Sequence, residues 1–269
     1  MTDHYAVFGN PIAHSKSPII HGAFARQTGQ DMDYSALLAP LDGFPEAVRA
    51  FQAGGGLGAN VTVPFKEQAN ALAQRRTPRA EAAGAVNTLS FQADGIWGDN
   101  TDGVGLVRDL TDNMGLSLAG LRILLMGAGG AARGVVLPLL ESGSQGLFIV
   151  NRTPAKAEEL ARLFADRPGV AGGGYDRLAG RHFDLVINAT AASLAGDLPP
   201  LPDDVFAADA WAYDMMYGRD TPFMAFARER GARVADGLGM LVEQAAEAFH
   251  LWRGVRPDTR PVIRMLRGA

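Results

Sequence analysis

Residues 121–133, LRILLMGAGGAAR, constrain this chain more than any other stretch. Four apolar residues, 123–126, break into Gly127-Ala128-Gly129-Gly130, and a helical pattern starts at Ala131 and runs to about Leu140. The order is strand, tight glycine turn, helix. Gly127 permits the turn, Gly129 lets backbone approach a diphosphate, and Ala132 keeps the third small position where helix meets strand. Unpaired N–H groups at the helix start, with the positive end of the helix dipole, favour such an anion. Without its flanks the pattern reads only as a tight βα turn; the strand before it and the helix after it favour dinucleotide binding.

The 33 glycines in 269 residues predict many short connections, which suits alternating α/β structure better than a helix bundle. Hydrophobic residues at 47% are enough to fill a core. A net charge of −4 and the absence of a basic run argue against a nucleic-acid partner. With no cysteine there is neither a disulfide framework nor a thiolate metal site, and the five scattered histidines lack metal-ligand spacing, so no metal is expected. No run approaches the roughly 18 apolar residues of a membrane span. Residues 1–5 lead into a strand rather than a basic-then-apolar leader. The expectation is a cytoplasmic protein with no membrane partner.

Along the chain, residues 4–8 read as a first strand, stopped by Gly9-Asn10-Pro11. Ser17 suits an N-cap and Pro18 a first helical position, which predicts a helix from Pro18 to about Gln27. Ser15 and Ser17 are then turn and cap residues, or hydroxyls at the mouth of a loop where a polyol is held. A strand over 33–38 and a helix over 44–52 follow. In ANVTVPFK, residues 59–66, period two puts Asn60 and Thr62 on one face, and Pro64 ends the strand. Lys66 stands at the strand's carboxyl end, where α/β folds bind ligands, although a lysine is also an ordinary surface charge. A helical stretch to about 74, an interruption at 75–79, a strand over 84–89 and a hairpin return at 95–98 come next. Asp102 in Asp99-Asn100-Thr101-Asp102-Gly103 enters a helix over 104–114, either as its cap or as a carboxylate near Lys66.

The strand over 147–150 ends in Asn151-Arg152-Thr153, with Lys156 one helical turn on. An NAD enzyme places an acid there for the ribose 2′-hydroxyl, whereas an arginine suits a 2′-phosphate. The residues favour NADP, unless Arg152 is merely a helix-entry charge. Further strands are expected over 184–188, 211–215 and 233–235. A helix over 240–252 follows, with Gln244 solvent-facing on spacing alone, and a closing helix spans 261–267.

Nine stretches together resemble the shikimate dehydrogenase family in that family's order. They are GNPIAHSKSP (9–18), NVTVPFK (60–66), GAVNTL (84–89), DNTDG (99–103), GAGGAAR (127–133), NRT (151–153), NAT (188–190), YDMMY (213–217) and DGLGMLVEQ (236–244). The resemblance implies an α/β protein with an N-terminal α/β substrate domain, residues 1–102 and 238–269. It implies a Rossmann NADP-binding domain, residues 103–237, and a cleft between the two. It implies reversible NADPH-dependent reduction of 3-dehydroshikimate to shikimate, in the biosynthesis of aromatic amino acids. Lys66 would be the acid/base, with Asp102. Ser15 and Ser17 would bond the substrate carboxylate, and Thr62, Asn87, Asp102 and Gln244 its ring and hydroxyls, with Asn60 and Tyr217 nearby. Gly127, Ala128, Gly129, Gly130 and Ala131 would take the diphosphate, and Asn151, Arg152, Thr153 and Lys156 the 2′-phosphate. Met215 and Gly237 would lie by the nicotinamide. Two positions depart from the family. Ala191-Ala192-Ser193 follows NAT where a serine is usual, and Pro78 stands where some members carry an acid. The other readings are a broader quinate/shikimate paralogue and a non-catalytic NADPH-binding regulatory module. A monomer and a homodimer are both compatible with the sequence.

Overall fold

The computed structural model describes residues 2–190, 192 and 196–268. The chain forms two compact units, Met1–Gly105 with Leu241–Ala269, and Leu106–Met240.

The first unit is built on a six-stranded sheet in the order β2-β1-β3-β5-β6-β4. Its strands are β1 (Asp3–Gly9), β2 (Met32–Leu38), β3 (Gly56–Val61), β4 (Arg75–Arg76), β5 (Thr88–Gln92) and β6 (Gly95–Asp99). β1 pairs in parallel with β2 and β3, and β5 runs antiparallel to both β3 and β6. Helices α1 (Ser17–Thr28), α2 (Phe44–Ala53), α3 (Lys66–Leu72) and α4 (Pro78–Ala83) connect these strands. Phe8, Phe44, Val61, Phe65 and Leu89 fill one core on the sheet. Ile20 and Phe24 of α1 pack a second core against Val242 and Phe249 of α9 (Leu238–Arg253) and Val262 of α10 (Arg260–Arg267).

Two local expectations change. The strand expected over 84–89 is a loop that becomes β5 only at Thr88, because a short helix precedes it. Thr77 caps α4 by accepting the Ala80 N–H, Pro78 starts that helix, and Gly84 ends it at φ +59°. Residues 75–76, read as an interruption, pair with Trp97 and Gly98 as an edge strand.

The second unit holds a wholly parallel sheet in the order β12-β11-β10-β7-β8-β9. Counted from β7, this is 3-2-1-4-5-6, the dinucleotide-binding order. The strands are β7 (Arg122–Met126), β8 (Gly146–Val150), β9 (Val170–Gly173), β10 (Phe183–Asn188), β11 (Phe206–Asp214) and β12 (Arg233–Asp236). Residues 123–126 are buried completely, as a strand covered on both faces requires. Helices α6 (Gly130–Glu141), α7 (Pro154–Arg162) and α8 (Pro222–Glu229) belong to this unit. The helix expected over 104–114 is α5 (Asp102–Arg108), which widens into a π-helical turn over Asp109–Asn113. Buried Asp109 there accepts the Tyr213 hydroxyl at 2.7 Å and the Asn113 amide at 3.0 Å.

Candidate active site

Lys66 is the first residue of α3, and its carbonyl accepts the Val86 N–H at 2.9 Å. Its Nζ lies 2.5 Å from Oδ2 of Asp102, with both side chains mostly withdrawn from solvent, 16% and 8% exposed. Asp102 opens α5, and its other oxygen accepts the Asn87 amide at 2.8 Å. Asn100 holds the turn, accepting the Asp102 N–H at 3.2 Å and donating to the Ala85 carbonyl at 2.9 Å. Asn87 is itself fixed, since its Oδ1 accepts the Thr101 N–H at 2.9 Å. Its Nδ2 also reaches Thr101 Oγ1 at 3.0 Å and Gln244 Oε1 at 3.4 Å. Gln244 is therefore not solvent-facing: it is half-buried against Asn87 and donates to the Leu241 carbonyl at 2.8 Å. Lys66, Asp102, Asn87 and Gln244 form one connected cluster, so Lys66 is no free surface charge.

Ser17 does not cap α1. Lys16 occupies the N-cap, without a side-chain cap bond, and Ser17 is the first helical residue, its N–H donating to Ser15 Oγ at 3.3 Å. The Ser17 hydroxyl, 7% exposed, is thereby released from the capping role. Asn60 sits near the end of β3 and is buried. It accepts the Tyr34 hydroxyl at 2.7 Å and donates to the Asn87 carbonyl at 3.2 Å and to Thr88 Oγ1 at 3.0 Å. Thr62 lies just beyond β3, its N–H bonded to the Phe8 carbonyl, and its methyl occupies the space that a Cβ on Gly9 would need. Sequence reasoning missed Tyr34, Thr88 and Thr101. Each lies on a stretch whose pattern speaks only of strand or turn, and only the fold brings them to Asn60 and Asn87.

In the second unit Gly127 takes φ +113°, and a Cβ there would meet the Ala189 carbonyl oxygen at 3.0 Å. The turn thus needs glycine on two grounds. Gly129 is the N-cap of α6, in extended backbone. A Cβ on it would meet nothing within 4 Å, so no packing inside the protein demands a glycine there. Ala128 is buried, and Gly130 and Ala131 form the first turn of α6, which holds no acidic residue. These residues stand where β7 neighbours β10 on one side and β8 on the other, the switch point at which open α/β sheets bind ligands. They fit a diphosphate: bare helix N–H groups, open space above Gly129 and no competing carboxylate.

At the end of β8, Asn151 folds back to donate to the Thr153 carbonyl at 3.0 Å, leaving Arg152, Thr153 and Lys156 exposed. Burial pushes the Tyr175 phenol up to about 12, against the pull of the nearby Arg152 charge. Met215 and Gly237 meet at the ends of β11 and β12: a Cβ on Gly237 would lie 2.3 Å from the Met215 carbonyl oxygen. Buried Asp214 holds this corner, accepting the Met216 N–H at 3.0 Å, the Thr221 hydroxyl at 2.7 Å and the Asn188 amide at 3.2 Å. Tyr217 is half-buried, and desolvation raises its phenol pKa. Ala191 and Ser193 lie outside the described residues; Pro78 opens α4. Among the described residues no helix is long and apolar enough to cross a membrane, and no cluster of His, Asp and Glu is placed to hold a metal.

Three family models match in chain order. They are the shikimate dehydrogenase substrate binding domain over residues 7–89, shikimate / quinate 5-dehydrogenase over 109–195, and the shikimate 5'-dehydrogenase C-terminal domain over 237–267. The chain is 64% identical to Shikimate dehydrogenase (NADP(+)) of Nitrosospira multiformis, over all of this chain and 98% of that protein. It is 61% identical to the protein of the same name from Dechloromonas aromatica, over 99% of this chain and 98% of that one. Among solved structures it is similar to the Ael1 enzyme of Pseudomonas putida, with 51% identity, a TM-score of 0.94 and 98% of each chain covered. It is also similar to shikimate 5-dehydrogenase of Thermus thermophilus, solved with NADP(H) and shikimate, with 34% identity, a TM-score of 0.88 and 99% of each chain covered. The chain belongs to the shikimate dehydrogenase family of NADP-dependent oxidoreductases.

Proposed function

We propose that this protein catalyses the reversible NADPH-dependent reduction of 3-dehydroshikimate to shikimate, with Lys66 as acid/base and Asp102 as its partner. The observation that carries the reading is the withdrawn Lys66–Asp102 pair, held by Asn87 and Asn100. When bound, NADPH supplies the hydride that reduces the ketone carbon. Lys66 meets the oxygen on which negative charge develops, stabilises it and gives it a proton from Nζ. In the oxidative direction the same Nζ accepts that proton. Asp102 aims the ammonium group, and its Asn87 bond keeps the carboxylate from rotating away. Asn87, Gln244, Thr62 and Asn60 orient the ring hydroxyls, and Ser15 and Ser17 offer hydroxyl protons to the carboxylate of the substrate. In the second unit Gly127 to Ala131 would hold the diphosphate and Arg152 with Lys156 the 2′-phosphate, beside Asn151 and Thr153. Met215 and Gly237 would line the nicotinamide. We place the protein in the cytoplasm, as a monomer or homodimer.

The test is a set of initial rates with shikimate and quinate, each against NADP and NAD, for the protein and for K66A. Fast turnover with shikimate and NADP, lost about 10²–10⁴-fold in K66A while NADPH still binds, is the expected result. Wild-type turnover by K66A removes Lys66 from the role. Equal rates with quinate or NAD reassign the substrate or cofactor.

A further inference from the structure

Tyr34 stands on the edge strand β2, and Asn60 on β3, with β1 between them. Two strand spacings separate them, about 10 Å, so the phenol must reach across β1 to donate to Asn60 Oδ1. Helix α1 covers this reach. Ser17 and His21 are four residues apart, on one helical face. His21 stacks on the Tyr34 ring at 4.1 Å and 4° between planes. The phenol has one proton, and it goes to Asn60 Oδ1 at 2.7 Å.

We propose that Tyr34 is a positioning residue for the substrate: its hydroxyl holds the Asn60 amide, which donates onward to Thr88 Oγ1 and the Asn87 carbonyl, and so fixes the orientation of a side chain that meets the ring hydroxyls. The inference rests on the site reading given under Proposed function. Tyr34 acts through residues that hold the substrate rather than through the Lys66–Asp102 pair, so its loss falls on binding more than on turnover. Removal of the hydroxyl leaves Asn60 Oδ1 short of a donor, and substrate binding must then restore an order that the protein no longer supplies.

Y34F removes one oxygen and keeps the ring that stacks on His21. The expected result is a KM for shikimate raised about tenfold, the loss of roughly one hydrogen bond, with kcat changed less than about threefold and NADPH affinity unaltered. N60A should raise KM as well, and Y34F/N60A should be no worse than N60A alone, because Tyr34 acts through Asn60. Unchanged KM in Y34F, with or without a lower Tm, overturns the proposal. So does a fall in kcat at constant KM, or effects that multiply in the double variant. Should Y34F not fold, Y34H decides by the same measure, since the shorter imidazole cannot reach Asn60 across β1. Wild-type kinetics in both K66A and S17A mean that the site reading itself has failed. An inert K66A with an unaffected Y34F defeats this inference alone.

Discussion

At the scale of single residues, two side chains make separable predictions. Arg152 is exposed and reaches no carboxylate in any described ion pair, at a strand end that offers no acid to a ribose hydroxyl. If it reads the 2′-phosphate, R152A loses a charge-assisted bond of about 1.5–3 kcal/mol, so the KM for NADP rises by roughly ten- to a hundredfold while that for NAD stays put. Parallel rises for both cofactors would return Arg152 to the helix-entry role. His21 is fully buried, neither ring nitrogen meets a hydrogen-bond partner, and burial lowers its pKa to about 3. The unfolded chain therefore takes up a proton below about pH 6.5 that the folded chain refuses until about pH 3. This contribution to stability is complete above pH 6.5 and is lost as pH falls toward 3, by up to about 1.4 kcal/mol per pH unit. Urea unfolding of the protein and of H21F between about pH 4 and pH 7 isolates it: the difference between the two should change with pH in that sense. Parallel curves would show that His21 protonation is not linked to folding.

At the scale of elements, one arginine joins three pieces of the first unit. Arg79 on α4 grips Asp99, at the end of β6, through Nε and Nη2 at 2.7 and 2.6 Å, and Nη2 also reaches Glu247 on α9 at 3.1 Å. Asp99 also accepts the Thr77 hydroxyl and the Asn100 N–H. It precedes Asp102 by three residues, and Glu247 follows Gln244 by one helical turn. R79M leaves the withdrawn Asp99 carboxylate without its cation, while Glu247 keeps Arg256, and should cost about 3 kcal/mol in urea unfolding. R79K keeps the charge and loses the fork, and should fall between. A loss below about 1 kcal/mol in R79M would mean that this cluster contributes no more than a surface pair.

At the scale of the whole molecule, the proposed function gives the two units different ligands, and hydrogen exchange can separate them. NADP should slow exchange at residues 127–133 and 151–156, and shikimate at residues 60–66 and 85–102, with R152A erasing much of the first pattern. Protection of the same peptides by both ligands would contradict the assignment of residues to ligands. Much of this division is local and therefore legible in sequence. The glycine turn after an apolar run, the Asn151-Arg152-Thr153 strand end and the alternation around Asn60 each state their chemistry through backbone freedom, charge or period, all properties of neighbouring residues. What stayed hidden depends on partners distant along the chain. Ser17 has the composition of a cap, yet Lys16 takes that position, while the Tyr34 hydroxyl reaches across β1 to Asn60. Gln244 has the spacing of a solvent-facing residue until α9 packs it against Asn87, 157 positions away. Residues 84–89 have strand composition, but Thr77, Pro78 and Gly84 spend the preceding residues on a helix. By itself the sequence determined the alternating α/β order, the glycine turn between β7 and α6 and the residue types available for catalysis, because each follows from short-range sterics and patterning. Only the tertiary structure decided which polar groups are wired together: a hydrogen bond is settled by distances of about 3 Å, and no spacing along a chain encodes these between separate strands and helices.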